Sequence, residues 1–297
     1  MTSAATRLRM ARASRAHVKT ATGRPGRRGG SHVPVHIVLA VGGILMAFPF
    51  IWQIIMSLST NAQVQGVVPT FWPGQLQWGN YADVFTRLPF LSQLGNSVLI
   101  TLIRTVAQII LCTAAGYAFA RMRFVGRSTL LAIVLSILLV PAQVYLISQY
   151  QIVQGLGWLN TLMGLVAPGL FSAFGTFLMR TAFLNMPAEL EEAARMDGAN
   201  PFQTFWRIMV PLALPSISVL AITTVLWSWN ELLWPLVVST YASAMPLSAG
   251  LATLAGDVTV NYPVLMAASL MAMAPVLILF IALQRRVING LASSGLK

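Results

Sequence analysis

Residues 264–283 read VLMAASLMAMAPVLILFIAL and contain no charged side chain. An α-helix rises about 1.5 Å per residue, so about 20 apolar residues are needed to cross roughly 30 Å of hydrocarbon. Five other stretches of the chain have a similar length and composition. We therefore predict an all-α integral membrane protein with six spans, near residues 35–58, 94–120, 130–149, 162–178, 212–238 and 264–283.

The overall composition agrees with a membrane protein. Hydrophobic residues make up 57% of the 297 residues and charged residues only 9%, whereas soluble proteins contain about 25% charged residues. Residues 1–32 are rich in arginine and lack apolar periodicity, which predicts a disordered basic segment. Its basic residues would anchor the N-terminus on the cytoplasmic side, and a contact with lipid headgroups is the alternative role. The membrane domain then occupies residues 33–284, and residues 285–297 form a short tail.

Positive charge predicts the orientation of the spans. The connections that begin at Arg121 and Arg180 each contain arginines, whereas residues 150–161 and 239–263 contain no basic residue. Because positively charged connections stay in the cytoplasm, this alternation predicts that both termini are cytoplasmic. The same rule places the connection at residues 185–211 in the cytoplasm.

Enzyme chemistry is poorly supported by the sequence. The only lysines are Lys19 and Lys297, so no phosphate-binding loop with its lysine is present. The three histidines all precede or begin the first span, and no catalytic triad or metal site can be assembled from the interior. We predict a chain that catalyses no reaction and binds no metal or cofactor. Its basic residues lie mainly in the N-terminal segment and do not indicate a nucleic-acid partner.

The connection at residues 185–211 concentrates the scarce acidic residues. Four of the seven acidic residues lie between Glu189 and Asp197. Asn185 is a candidate N-cap for a first helix, which Gly198 would end. Asn200 is a candidate cap for a second helix that begins at Pro201. These residues predict a helix–turn–helix outside the bilayer.

The first of these helices has features of a docking surface. Ala193, Ala194 and Gly198 are small enough for close backbone approach, while Glu191 and Glu192 offer carboxylates to basic residues of a partner. From the residues alone, an ordinary amphipathic surface loop is an equally good interpretation.

Two ionisable residues lie within predicted spans, where such residues are rare and usually functional. Arg104 and Glu231 are both roughly 12 Å deep, counted along their helices. They could pair with each other, or line a translocation route beside Trp229, Asn230 and Trp234. Alternatively, Arg104 could extend outwards to the interface and Glu231 could bond a neighbouring helix.

The loop sequence resembles the signature of binding-protein-dependent ABC importer permeases. Glu192-Ala193-Ala194 is followed after three residues by Gly198, and after nine more by Ile208 and then Pro211. Val210 stands where the family usually has leucine. Residues 116–124 resemble the end of the second span in sugar permeases, and residues 229–236 and 284–291 resemble the maltose-type six-span subunit.

This resemblance implies a type I importer fold in a bacterial plasma membrane, with a cytoplasmic coupling helix and a sugar or oligosaccharide as cargo. It implies a second permease subunit, two cytoplasmic ATPase subunits that bind ATP and Mg²⁺, and an extracytoplasmic sugar-binding protein. The residues implied in coupling are Glu191, Glu192, Ala193, Ala194, Asp197, Gly198, Ile208 and Pro211.

Two other classes of function remain possible at this point. An ion-coupled secondary transporter would need intramembrane carboxylates, and Glu231 is the one available. A membrane scaffold without a substrate would need neither Glu231 nor an ATPase.

Overall fold

The computed structural model describes residues 33–66, 72–257 and 259–294, and all regular elements in these ranges are helices. The predicted basic segment at residues 1–32 lies outside the described residues, as does the end of the tail at residues 295–297. The chain divides into two compact units, residues 1–49 and residues 50–297.

The described part of the first unit belongs to helix α1 (Val33–Ser57). Large apolar side chains point outwards along it, among them Val38 at 70% and Met46 at 77% exposure. Because water would disfavour so much exposed apolar surface, this pattern is typical of a helix surrounded by lipid.

The second unit is built from short and long helices. In chain order they are α2 (Asn61–Gln65), α3 (Gly79–Arg87), α4 (Phe90–Arg121), α5 (Arg127–Ser136), α6 (Ala142–Gly155), α7 (Leu162–Val166), α8 (Ala173–Leu184), α9 (Glu189–Met196), α10 (Pro201–Thr204), α11 (Val210–Leu212), α12 (Leu214–Asn230), α13 (Leu233–Val238), α14 (Leu247–Ala255) and α15 (Tyr262–Ser294). Single 3₁₀ turns follow α5 (Ile137–Leu139) and α7 (Ala167–Gly169), and a π-helical turn (Phe205–Met209) joins α10 to α11.

Three predicted spans are covered by single long helices. Helices α1, α4 and α15 are long and apolar enough to cross a membrane. Helix α15 continues through Pro275 and runs to Ser294, so residues 285–294 of the predicted tail are helical.

The other three predicted spans are not single straight helices in the structure, which has up to six spans if each bent pair of helices counts as one. The α5 and α6 segments meet at a bend of 105°, and the α7 and α8 segments at 40°. At the first bend Val140 is extended, because a residue before proline disfavours the helical conformation. The predicted span at 212–238 is interrupted after Asn230 and resumes at Leu233.

Helix α4 is the central element of the second unit. It contributes Cys112 and Tyr117 to one core cluster, Phe90 to a second and Ile100 to a third. The first cluster also includes Phe183 of α8 and the π-helical turn, and the third includes Trp234 of α13. One continuous helix therefore contacts both the α9 loop region and the interruption between α12 and α13.

Candidate coupling loop and polar cavity

Helix α9 forms from an acidic first turn. Glu189, Glu191 and Glu192 lie at its N-terminal end and Arg195 in its last turn, which matches the helix dipole. The prediction that Asn185 caps this helix was wrong. Asn185 instead follows the last residue of α8, and α9 begins after Ala188 with no side-chain cap.

The turn after α9 has the predicted chemistry. Gly198 adopts a φ of +80°, a conformation that glycine tolerates best. The amide of Ala199 donates to the carbonyl of Ala194 at 2.9 Å and closes the helix end. The Asn200 side chain then accepts a hydrogen bond from the backbone amide of Gln203 at 2.8 Å, and the Gln203 side-chain oxygen accepts one from the backbone amide of Asn200 at 3.0 Å. This capping box starts α10 at Pro201.

The two faces of α9 differ sharply. Glu191 and Ala194 are buried, at 8% and 4% exposure, while Glu192 and Ala193 are exposed. The prediction that Glu191 offers its carboxylate outwards was therefore wrong. Its Oε1 lies 3.6 Å from Nε of Arg121, at the end of α4.

The outward surface of the loop is partly apolar. Met196 is 87% exposed and Phe202 is 70% exposed, beside the half-exposed Trp206. Asp197 and Gly198 are also exposed. By contrast, Ile208 packs against the core cluster around Tyr117, and Pro211 is exposed in α11. The exposed set forms one continuous segment that spans α9, the turn and α10.

A polar cavity of about 660 Å³ lies against α4, the α7 end and α12. Its polar lining consists of Arg104, Gln108, Thr224, Ser228, Asn230 and Glu231.

Arg104 and Glu231 form an ion pair in this cavity. Arg104 is only 5% exposed, and its guanidinium donates to the Glu231 carboxylate and to the carbonyl of Leu165. Arg104 does not extend outwards to the interface, so that alternative was wrong. Glu231 is also the residue at which α12 ends. The positive charge of Arg104 therefore lies beside a helix C-terminus, where it is favoured.

Gln108 extends this polar network. Its amide nitrogen donates to the carbonyl of Gly169 at 2.8 Å, and its amide oxygen accepts from the Thr224 hydroxyl at 2.8 Å. We did not predict either side chain as part of the site. Helical spacing could have indicated both, since Gln108 lies four residues after Arg104 and Thr224 seven residues before Glu231.

Comparison with known proteins identifies the class. A family model described as "Binding-protein-dependent transport system inner membrane component" matches residues 109–292, more than half of the chain. The chain belongs to this family. It is a membrane-embedded permease subunit of an ABC importer, with the type I permease fold. This membership does not favour an ion-coupled transporter or a scaffold.

Several relatives cover nearly the whole permease. AraQ of Halalkalibacterium halodurans, an arabinooligosaccharides transport system permease protein, is 35% identical over 256 residues, or 85% of this chain and 92% of AraQ. UgpE of Pectobacterium atrosepticum, an sn-glycerol-3-phosphate transport system permease protein, is 30% identical over 275 residues, or 90% of this chain and 98% of UgpE.

A solved structure gives the same fold. One chain in the crystal structure of a bacterial ABC transporter, involved in the import of the acidic polysaccharide alginate, superposes with a TM-score of 0.75. It is 26% identical to this permease, and the match covers 85% of this chain and 95% of that chain.

The other residues predicted to line the translocation pathway, Asn230, Trp229 and Trp234, have different surroundings in the structure. Asn230 lines the polar cavity beside Glu231. The indole of Trp234 is buried and donates to the carbonyl of Gly164 at 3.0 Å. The indole of Trp229 donates to the carbonyl of Ala272 at 3.3 Å. The structure thus brings Arg104, Asn230 and Glu231 together in the polar cavity. Trp234 lines a smaller cavity of about 160 Å³ that also contains Arg104 and Glu231, whereas Trp229 contacts α15.

The polar cavity is lined mainly by side chains that form hydrogen bonds. Its carboxylate, amides and hydroxyls can accept and donate hydrogen bonds to a polar solute. Among the described residues, no group of three or more histidine, cysteine, aspartate or glutamate side chains could hold a metal ion. The family is a transport component and is not itself catalytic.

Proposed function

We propose that this permease imports a sugar or oligosaccharide across a bacterial plasma membrane, using ATP hydrolysed by separate subunits. AraQ is named for arabinooligosaccharides, and the solved relative belongs to a polysaccharide importer. Sugars present many hydroxyl groups, which match the amide, hydroxyl and carboxylate lining of the cavity.

The observation that carries the proposal is the exposed face of α9. Glu192 and Ala193 point away from the chain, while Glu191 and Ala194 on the opposite face hold the short helix against the core. A carboxylate beside a small residue suits a close contact with a basic residue of an ATPase subunit. Exposed Met196 and Phe202 add apolar area for the same contact.

The remaining parts of the assembly are proposed from the family to which the permease belongs. Two ATPase subunits bind ATP and Mg²⁺ on the cytoplasmic side, so α9 and both termini of the permease face the cytoplasm. A second permease subunit completes the membrane pathway, and an extracytoplasmic sugar-binding protein delivers the cargo. The basic residues within segment 1–32 anchor the N-terminus on the cytoplasmic side, where membrane lipid headgroups are a further contact.

Within the membrane, we propose that the cargo passes the polar cavity. Asn230 is exposed at the end of α12 and one third of the Glu231 side chain is accessible. Both groups can bond sugar hydroxyls, while Arg104 holds the Glu231 carboxylate in place.

Co-purification tests the ATPase contact. The tagged permease is co-expressed with its ATPase, second permease and binding protein, and the ATPase retained after detergent extraction is quantified. We expect Glu192→Arg to reduce retention about tenfold, because it places like charges at the contact. Asp83→Arg, an exposed carboxylate on α3, is the matched control and should retain the ATPase. An ATPase that stays bound to Glu192→Arg as well as to the control would contradict the assignment.

A further inference from the structure

The carboxylate of Glu191 is turned towards the body of the permease. Glu191 and Ala194 are the buried residues of α9, and they lie three positions apart on one face of the helix. A buried carboxylate is costly unless a cation compensates it. The neighbouring Glu192 is exposed and needs no internal partner.

The compensating cation is Arg121, the last residue of α4. Its Nε lies 3.6 Å from the Glu191 carboxylate, and both side chains are nearly buried, at 13% and 10% exposure. The same guanidinium donates to the carbonyl of Phe183, at 2.7 Å, and to that of Met186. One planar guanidinium therefore joins the end of α4 to the end of α8 and to α9.

Tight packing surrounds this junction. The Tyr117 ring lies 5.4 Å from the Phe183 ring and 4.9 Å from the Phe205 ring, measured between centroids. At the residue before Tyr117, a Cβ on Gly116 would come within 2.6 Å of Cβ of Met179 and 2.8 Å of the Arg180 amide nitrogen. Helices α4 and α8 are thus in backbone contact, and close-packed contacts of this kind transmit displacement instead of absorbing it.

The other part of α4 reaches the polar cavity. The helix is continuous over 32 residues and contains no proline. Arg104 and Gln108 project from it into the cavity. Arg121 follows Arg104 by about 26 Å along the helix axis. A displacement of α9 that is passed to Arg121 would therefore reach the Arg104–Glu231 pair through a single rigid element.

We propose that Arg121 and Glu191 are positioning residues that hold the coupling helix, α9, against α4. Movement of α9 would then be transmitted through α4 to the Arg104–Glu231 pair. The assignment rests on the proposed function, since it requires an ATPase that moves α9. It divides the two adjacent glutamates between different tasks. Glu192 faces the ATPase, and Glu191 holds the coupling helix on the permease.

Coupling efficiency is the property to measure. Purified complexes are reconstituted in liposomes, and cargo uptake is divided by ATP hydrolysed. We expect Glu191→Gln and Arg121→Gln each to lower this ratio about tenfold while the ATPase remains bound. Because the two residues act as one link, the double variant should lower the ratio no further than either single variant. Arg121→Lys, which keeps the charge, should restore part of the ratio.

Control variants separate this proposal from the proposed function. Glu192→Gln combined with Arg121→Gln should lower the ratio of uptake to ATP hydrolysed by the product of the two single-variant factors, because those residues do not contact each other. Loss of ATPase retention in Glu191→Gln but not in Arg121→Gln would overturn the link and assign Glu191 to the ATPase. If the double variant Glu191→Gln with Arg121→Gln also lowered this ratio by the product of the two single-variant factors, the link between the two residues would be overturned. If the unmodified permease retained no ATPase at all, the proposed function itself would fail.

Discussion

At the scale of single residues, the Arg104–Glu231 pair determines the character of the cavity. An arginine with 5% exposure within a membrane domain is stable only when its charge is compensated. Glu231 supplies the charge, and the Leu165 carbonyl accepts a further hydrogen bond. The pair places two opposite charges side by side in the cavity, so that they compensate each other.

Removing one partner of this pair should destabilise the permease. Glu231→Gln leaves Arg104 buried without a carboxylate partner. The free energy of unfolding should therefore fall by up to about 3–5 kcal/mol. Thermal unfolding of the purified permease in detergent measures the effect.

Removing both partners provides the control for that experiment. Arg104→Met combined with Glu231→Leu should unfold at a higher temperature than Glu231→Gln, because no uncompensated charge remains. Equal unfolding temperatures for Glu231→Gln and the unmodified chain would show that the pair contributes nothing to stability.

Gly169 is a second residue whose identity matters for the cavity. A Cβ at this position would come within 2.6 Å of Cζ of Arg104, so Gly169→Ala must displace the guanidinium. We expect this overpacking to lower the free energy of unfolding by about 1–3 kcal/mol and to reduce the rate of cargo uptake.

A matched glycine tests the specificity of this effect. Gly95 lies inside α4, and a Cβ there would meet no atom within 4 Å. Gly95→Ala should therefore leave the unfolding temperature unchanged or raise it slightly. If Gly169→Ala behaved like Gly95→Ala, the close contact with Arg104 would be refuted.

The residues of the site were only partly predictable. Arg104 and Glu231 could be paired from the sequence, because both are charges at a similar depth in different spans. The inward orientation of Glu191 could not, since on a helix as short as α9 the position of the core decides which glutamate is buried. Gln108 was missed because an uncharged amide is not exceptional in a span.

At the scale of elements, the turn after α9 is the feature most sensitive to sequence. Gly198 has open space around it but a φ of +80°. Gly198→Ala should therefore destabilise the α9–α10 junction through backbone strain, by about 1–2 kcal/mol. Gly198→Asn should be milder, because asparagine tolerates this conformation better. Amide hydrogen exchange of residues 189–204 measures the difference, and equal exchange in both variants would contradict the strain argument.

The interrupted helices were the elements that hydropathy could not predict. A run of apolar residues looks the same whether its helix is straight or bent by 105°, as at the junction of α5 and α6. Pro141 is visible in the sequence, but proline is tolerated within membrane helices, as Pro275 shows in α15. The outcome depends on the neighbouring helices that accept the freed backbone groups.

At the scale of the whole molecule, the alternation of positive charge predicts the orientation in the membrane. A single cysteine at Ala193 in a Cys112→Ala background should react with a membrane-impermeant maleimide only when the reagent has access to the cytoplasmic face. A cysteine at Tyr241, which is 67% exposed, should react only from the outside. Labelling of both positions from the same side would contradict the predicted topology.

The dependence of uptake on ATP tests the account of the whole molecule most directly. The permease is reconstituted in liposomes with its second permease and ATPase subunits, with ATP inside and the sugar-loaded binding protein outside. We expect uptake that requires hydrolysable ATP and the ATPase subunits, and that falls about tenfold with Glu192→Arg. Sugar uptake that continued at an unchanged rate without the ATPase subunits would contradict the account.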